Sequence, residues 1–201
     1  MHPLTKLIQN DMKPALGVTE PGAIAYAASK AKSFTHGPVE KVELTLNSGM
    51  YKNAFTCGIP NSAQVGNFYA AALGVIAGDH KKGLGSLSDV TEADNAAAVK
   101  MVENGQIAVK LSGISSDIFI QAVVKTASDT AEVTIRDSHT NITQIKVNGR
   151  TVFEKPLEEK TAEYSDAAEI HQYTLEKLVE YAKTIDIEEI SFVREAYSVN
   201  S

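Results

Sequence analysis

The sequence predicts an α+β protein in which small-residue helices pack on a mostly antiparallel sheet. Up to about residue 104, apolar residues recur mainly at helical spacing, with alanine and glycine on several faces. Between residues 107 and 154, apolar and polar residues alternate in several short segments, as in strands. Turn residues, above all Asn148-Gly149, separate these segments as in β-hairpins. We take the 201 residues as a single domain.

The amino-terminal region predicts two helices joined by a turn. Residues 3–12 form a short amphipathic segment, which Pro14 ends because the residue before a proline is pushed out of the helical region. We predict that Thr19 caps the second helix, with Glu20 and Pro21 in its first turn and an end near residue 33. This helix is rich in alanine, so we expect it to be largely buried.

The next region predicts a strand, an irregular loop and further helices. Residues 39–47 alternate as in a half-buried strand, and residues 50–63 are polar without periodicity, which is typical of a functional loop. Residues 65–76 have the spacing of a core helix, and the glycine-rich residues 78–89 predict a flexible surface loop. A capping box of Thr91 and Asp94 predicts another helix, closed by Gly105.

The carboxy-terminal region predicts an antiparallel meander followed by helices. The alternating segments are residues 107–111, 118–124, 133–135, 143–147 and 151–154. Residues 156–164 are charged and predict a loop, and Ser165 or Asp166 opens a helix to about Lys183. A second capping box of Asp186 and Glu189 predicts a last helix to the end of the chain.

Composition excludes several classes of protein. The chain is 43% hydrophobic and 22% charged with a net charge of −6, and its Lys and Arg residues are scattered, which argues against nucleic acid or an anionic membrane as partner. The single cysteine, Cys57, excludes an internal disulfide and fits a reducing compartment. Neither a secretory signal nor an apolar run long enough to span a bilayer is visible. We expect a cytoplasmic protein.

Three polar segments are candidates for a binding site. The first turn of the helix at Thr19 and Glu20 offers free N–H groups to a small carboxylate, although capping alone also explains these residues. Lys52 and Asn53 offer an amine and an amide on a loop, where a solvated lysine is the alternative. His139, Thr140 and Asn141 form a polar corner, for which a structural hairpin turn is the favoured explanation.

Short segments spread along the chain resemble a known family in the family's order. They are Lys13-Pro14-Ala15-Leu16-Gly17-Val18-Thr19-Glu20-Pro21, Tyr51-Lys52-Asn53-Ala54, Gly58-Ile59-Pro60, Ala70-Ala71-Ala72-Leu73-Gly74, Gly83-Leu84, His139-Thr140-Asn141-Ile142 and Asn148-Gly149. Together they are similar to the N-terminal half of serine dehydratase alpha-chain-like proteins, a bacterial and archaeal family that includes the L-cysteine desulfidases.

The resemblance implies a [4Fe–4S]-dependent lyase that eliminates ammonia, with water or sulfide, from a small amino acid such as serine or cysteine. It implies that Lys52 is a catalytic base or a clamp for the substrate carboxylate. The implied substrate-binding residues are Thr19, Glu20, Asn53, His139, Thr140 and Asn141.

Two departures from the family's pattern limit this inference. Val18 occupies the position of a family cysteine, and the remaining cluster cysteines belong to a C-terminal half that this chain lacks. Cys57 alone cannot hold a cluster, so we expect no metal or cofactor in this chain unless a C-terminal half or partner subunit supplies the cysteines.

Three hypotheses follow. The first is that the chain is the N-terminal domain or subunit of such a lyase and is inactive alone. The second is that it is a non-catalytic relative, either a domain that binds a small amino acid or a regulatory domain. The third is that it is a structural interaction module.

Overall fold

The computed structural model describes residues 1–12, 17–156 and 170–200. Contacts divide the chain into two compact units. The terminal unit comprises Met1–Pro14 and Glu158–Ser201, and the sheet unit comprises Ala15–Leu157. The expectation of one domain over residues 1–201 stays a prediction.

The sheet unit combines a sheet with four α-helices in its described residues. The strands are β1 (Val39–Asn47), β2 (Ile107–Gly113), β3 (Phe119–Thr126), β4 (Thr130–Arg136), β5 (Ile142–Val147) and β6 (Arg150–Glu154). The helices are α2 (Thr19–Lys32), α3 (Ser48–Ala54), α4 (Asn67–Ile76) and α5 (Glu92–Glu103), with a 3₁₀ helix at His80–Gly85. The predicted α+β class, with a mostly antiparallel sheet, is confirmed.

The strands of the described residues follow the order β2-β1-β3-β4-β5-β6. The meander β3-β4-β5-β6 is antiparallel throughout, as predicted. Asn148 and Gly149 both have positive φ (50° and 79°) at the β5–β6 turn, which fits the Asn-Gly hairpin signal. The predicted place of β2 in that meander is wrong: β2 pairs in parallel with β1, because three helices carry the chain back across the sheet between them.

One face of the central strands forms the core. Val42, Leu44 and Leu46 of β1 lie opposite Val124, Ala122 and Ile120 of β3, and all six are fully buried. Helix α2 precedes β1 in the chain and contacts both β3 and β4, and helices α3–α5 lie between β1 and β2. The alternation in the sequence therefore predicted the buried face of β1 correctly.

Helices α2 and α4 pack through small residues. Ala23, Ala25, Ala27 and Ala28 of α2 are completely buried, as predicted for this helix. A Cβ atom at Gly74 of α4 would lie 2.7 Å from the Ala25 carbonyl oxygen. Close approach of the two backbones therefore depends on the absence of a side chain at this position.

Two predicted loops of the sheet unit contain helix. The segment predicted as an irregular loop over residues 50–63 begins with α3, in which Met50 and Ala54 are buried at i and i+4. The segment 78–89 contains the 3₁₀ helix and buries Ser86 and Leu87, so it is not a simple surface loop. In contrast, the capping box of Thr91 and Asp94 is present at the start of α5, as predicted.

The terminal unit contains α1 (Pro3–Asp11), α6 (Leu175–Thr184) and α7 (Phe192–Asn200) in its described residues. The Thr5 hydroxyl lies 2.8 Å from the Tyr181 hydroxyl, which joins α1 to α6. The predicted start of a helix at Ser165 or Asp166 and most of the loop 156–164 lie outside the described residues.

Two other predictions for the terminal unit are wrong. The helix predicted to run without a break to about Lys183 is interrupted, because the chain forms a turn at residues 171–173. Helix α6 starts after Thr174, whose hydroxyl accepts a hydrogen bond from the Lys177 N–H. The Glu189 carboxylate does not complete a capping box, because it accepts a hydrogen bond from the His2 backbone N–H instead. This bond is the first cause of the lowered pKa of Glu189. The last helix begins at Phe192.

Within the described ranges, none of the helices is both long and apolar enough to cross a membrane.

Candidate functional site

The amino end of α2 places two polar side chains differently from the prediction. Val18 is the N-cap of this helix and provides no side-chain bond, so the prediction that Thr19 caps it is wrong. Thr19 is the first helical residue instead, and its hydroxyl donates to Glu20 Oε2 at 3.3 Å. The hydroxyl is therefore directed toward the Glu20 carboxylate rather than toward the N–H groups of the helix.

Four predicted site residues form one hydrogen-bonded cluster. Asn53 Nδ2 donates to Glu20 Oε1 at 3.0 Å, and Thr19 Oγ1 lies 3.5 Å from His139 Nε2. We call Thr19, Glu20, Asn53 and His139 the Glu20 cluster. Its members come from α2, from α3 and from the β4–β5 turn; α2 and α3 supply the two donors to the Glu20 carboxylate, and the turn supplies His139 beside the Thr19 hydroxyl.

Helix α3 holds Asn53 on a solvent-exposed side, because the apolar residues of the helix are buried on another side. Met50 and Ala54 face the core, which leaves Lys52 and Asn53 exposed. Lys52 is exposed and lies beside Asn53 in the chain, and among the described residues no Asp or Glu forms an ion pair with it. Its role as a base therefore stays a prediction that the contacts do not support.

The β4–β5 turn places His139. Arg136 N–H donates to the Asn141 carbonyl at 3.1 Å, and Asn141 Nδ2 donates back to the Arg136 carbonyl at 3.0 Å. Lys155 Nζ donates to Asn141 Oδ1 at 3.2 Å. Asn141 thus closes the turn that presents half-buried His139, while Thr140 is exposed. The substrate-binding roles of Thr140 and Asn141 stay predictions, and the observed contacts of Asn141 are structural.

The Glu20 carboxylate is held by neutral donors. Asn53 and Thr19 each donate to one of its two oxygen atoms, and among the described residues no lysine or arginine forms an ion pair with it. Glu20 is half-buried and Asn53 is exposed, so one side of the cluster is open to solvent. A fixed carboxylate without a cation is suited to bind a positively charged group of a ligand.

The amino end of α2 adds donors beside this carboxylate. Within the described residues, the N–H groups of Thr19 and Glu20 have no hydrogen-bond acceptor, and Pro21 has no N–H. Such groups carry the positive end of the helix dipole and favour an anion. Carboxylate and free N–H groups therefore lie side by side, which matches the two charges of a zwitterion.

The donor set does not suit an iron–sulfur cluster. The chain has one cysteine, Cys57, whose thiol donates to the Asn53 carbonyl at 2.6 Å. A cluster is held by several thiolates. In the described ranges, no group of three or more His, Cys, Asp or Glu side chains is placed to hold a metal ion.

Sequence inspection identified these residues but not their pairing. Glu20 and Asn53 are separated by 33 positions, and Thr19 and His139 by 120. The spacing of Met50 and Ala54 was a signal for α3 that the polar character of the segment obscured.

Curated proteins of similar sequence are called UPF0597 proteins. The chain is 31% identical over 194 residues to one from Dichelobacter nodosus (strain VCS1703A), which covers 96% of this chain and 45% of the relative. It is 32% identical over 197 residues to one from Clostridium tetani (strain Massachusetts / E88), covering 98% and 47%. A Vibrio parahaemolyticus relative is 31% identical, covering 98% and 46%. The chain thus spans about half the length of the curated relatives it matches.

No family model matches the chain, and no solved structure matches it.

These matches overturn the lyase interpretation. The similarity extends over 96–98% of this chain, and the relatives carry the name UPF0597 rather than serine dehydratase or L-cysteine desulfidase. Identification as the N-terminal half of that family is therefore wrong, and so is the function drawn from it, whether as lyase subunit or as a relative that lost a catalytic cysteine. The expected absence of a cofactor and the expected partner polypeptide stay predictions. What this chain is similar to is a UPF0597 protein.

Proposed function

We propose that the sheet unit binds a small ligand with an ammonium group, such as a small amino acid, at the Glu20 cluster. The observation that carries this proposal is the Glu20 carboxylate itself. It is fixed by Asn53 and Thr19 from two helices, yet it has no cationic partner among the described residues. An ammonium group is the complement of such a carboxylate.

The free N–H groups at the start of α2 support an amino acid over a simple amine. They belong to Thr19 and Glu20, so an acceptor bound there lies close to the carboxylate that takes the ammonium. A ligand that carries both charges on neighbouring atoms can use both groups. His139 and the Thr19 hydroxyl add hydrogen-bonding groups at the same place.

Calorimetric titration of the full chain tests the proposal. L-serine and L-cysteine are compared with ethanolamine, which lacks the carboxylate, and with lactate, which lacks the ammonium group. We expect the amino acids to bind most tightly. Because charge-assisted hydrogen bonds contribute about 1.5–3 kcal/mol, Glu20→Gln is expected to weaken binding by about 10- to 150-fold.

Glu40→Gln is the matched control, since Glu40 is exposed on β1 and outside the cluster. It is expected to bind as the wild type does. If none of the four compounds binds at millimolar concentration, or if Glu20→Gln binds the amino acids as well as the wild type, the proposal is wrong.

We also infer a cytoplasmic location, which the single free cysteine supports because thiols persist in reducing compartments. Fractionation of cells with an antibody to this chain tests it, and recovery outside the cytoplasm would contradict it.

A further inference from the structure

Helix α6 of the terminal unit leaves part of its apolar side uncovered. Tyr181 of this helix packs its ring on the His2 ring at 4.8 Å and is half-buried. Leu175 and Val179 lie one turn apart on another side of the helix and are 72% and 43% exposed. None of the ten residues of α6 is buried. The helix therefore presents an apolar surface in addition to the one that it uses inside the terminal unit.

The uncovered surface carries charges of both signs next to its apolar residues. Its side chains line a shallow groove along one side of the helix and are Leu175, Glu176, Val179, Glu180, Lys183 and Thr184. We call these six residues the α6 stripe. Among the described residues, neither Glu176 nor Lys183 forms an ion pair. Because they lie two helical turns apart, their charges are separated by about 10 Å along the axis.

We infer that the α6 stripe is the contact through which two copies of this chain form an antiparallel dimer. The order of the charges selects this partner and this orientation. When two copies of α6 pack antiparallel about a two-fold axis between Val179 and Glu180, Glu176 of each copy lies opposite Lys183 of the other. Parallel packing would place like charges opposite each other, which is repulsive. The stripe is therefore complementary in charge to itself in the antiparallel orientation.

The same register brings the apolar groups together. Val179 lies next to the two-fold axis, so the two valine side chains meet there. Leu175 of each copy lies opposite the Thr184 methyl group and the aliphatic stem of Lys183 of the other copy. Helix α6 is only about 15 Å long, so this contact is smaller than the roughly 800 Å² per partner of a standard interface. We therefore expect a weak, reversible dimer with a dissociation constant of about 0.1 mM.

Sedimentation equilibrium of the full chain between about 10 μM and 1 mM tests this inference. Glu176→Lys and Lys183→Glu each turn two attractive pairs into two repulsive ones, so each is expected to weaken the dimer by about 4- to 30-fold. The double variant Glu176→Lys/Lys183→Glu restores both pairs with the charges exchanged, and it is expected to dimerise as the wild type does. Val179→Glu places two carboxylates at the axis and is expected to be monomeric.

Lys177→Glu is the matched control, because Lys177 is exposed on α6 but lies outside the stripe. It carries the same charge change as Lys183→Glu and is expected to dimerise within about twofold of the wild type. Circular dichroism verifies that each variant keeps the helix content of the wild type.

Three results would each overturn the inference. If the wild type stays monomeric up to about 1 mM, the stripe does not join two copies and belongs to a contact with another polypeptide. If the dimer persists in Val179→Glu, it forms through a different surface. If the double variant, with unchanged helix content, dimerises no better than the single variants, the antiparallel register is wrong. All three leave the proposal for the Glu20 cluster intact, because the α6 stripe shares no residue with it.

Discussion

Replacement of Gly74 by alanine tests whether the α2–α4 contact limits the stability of the sheet unit. Alanine is a better helix former than glycine by about 1 kcal/mol, so helix propensity alone predicts a stabilised protein. The added Cβ atom, however, would lie 2.7 Å from the Ala25 carbonyl oxygen and 2.8 Å from Ala25 Cα. Ordinary contacts of this kind start at 3.4 Å, so one backbone must move by about 0.7 Å.

The obstructing atoms belong to the backbone of a buried helix, which cannot turn aside as a flexible side chain can. Overpacking in such a place costs about 1–3 kcal/mol, and we take the upper end because the obstruction is backbone. After the gain in propensity is subtracted, Gly74→Ala is expected to lower the free energy of unfolding by about 2 kcal/mol.

Urea denaturation followed by circular dichroism measures this change. Ala97→Gly is the matched control, because Ala97 is exposed in the middle of α5 and reports helix propensity alone. It is expected to lower the free energy of unfolding by about 1 kcal/mol. A Gly74→Ala protein as stable as the wild type, or more stable, would show that α2 and α4 can move apart at little cost. Their close contact would then not limit the stability of the sheet unit.

Three further substitutions probe other contacts. The pKa of Asp129 is held well below its usual range, first by the Asn148 amide and then by His36. The hydrogen bonds of the ionised carboxylate therefore stabilise the folded protein above the unfolded-state pKa, and this stabilisation is lost as the pH falls toward the folded-state pKa. Asp129→Asn is expected to have a lower free energy of unfolding than the wild type at pH 7. In denaturation experiments at a series of pH values, the difference between the two proteins is expected to shrink below about pH 4. Thr91→Ala removes the capping box of α5 and is expected to cost about 1 kcal/mol in urea denaturation, with Thr91→Ser close to wild type. Asn47→Ala removes one of the two donors to the Ser115 carbonyl, which keeps the Ser48 hydroxyl, and takes the side-chain acceptor from the half-buried Phe119 N–H, for an expected loss of about 1–3 kcal/mol by the same measurement; a loss under about 0.5 kcal/mol would contradict that account.

Local patterns explain the elements that sequence inspection placed correctly. The alternation of Val42, Leu44 and Leu46 marks the buried face of β1, because successive side chains in a strand point to opposite sides. Thr91 and Asp94 satisfy each other's backbone groups within one turn of chain, and Asn148-Gly149 adopts positive φ at both residues. Each of these signals is complete within a few residues.

The elements that were placed wrongly depend on distant partners. β2 alternates like the later strands, but its neighbour is β1, and alternation says nothing about which strand pairs with which. Glu189 has the spacing of a capping residue, yet the backbone of His2 competes for its carboxylate. α3 was missed because polar residues share a short segment with only two buried ones, Met50 and Ala54.

Composition and periodicity act over short stretches of chain, so they were enough to predict the α+β class, the buried alanine-rich helix α2 and the polar residues that are candidates for a site. The meeting of Thr19, Glu20, Asn53 and His139, and the part of Asn141 in the turn beside them, became visible in the folded chain alone. A carboxylate acquires its chemistry from what surrounds it in space. Those surroundings come from α3 and the β4–β5 turn, which the sheet brings to the start of α2 from far along the chain.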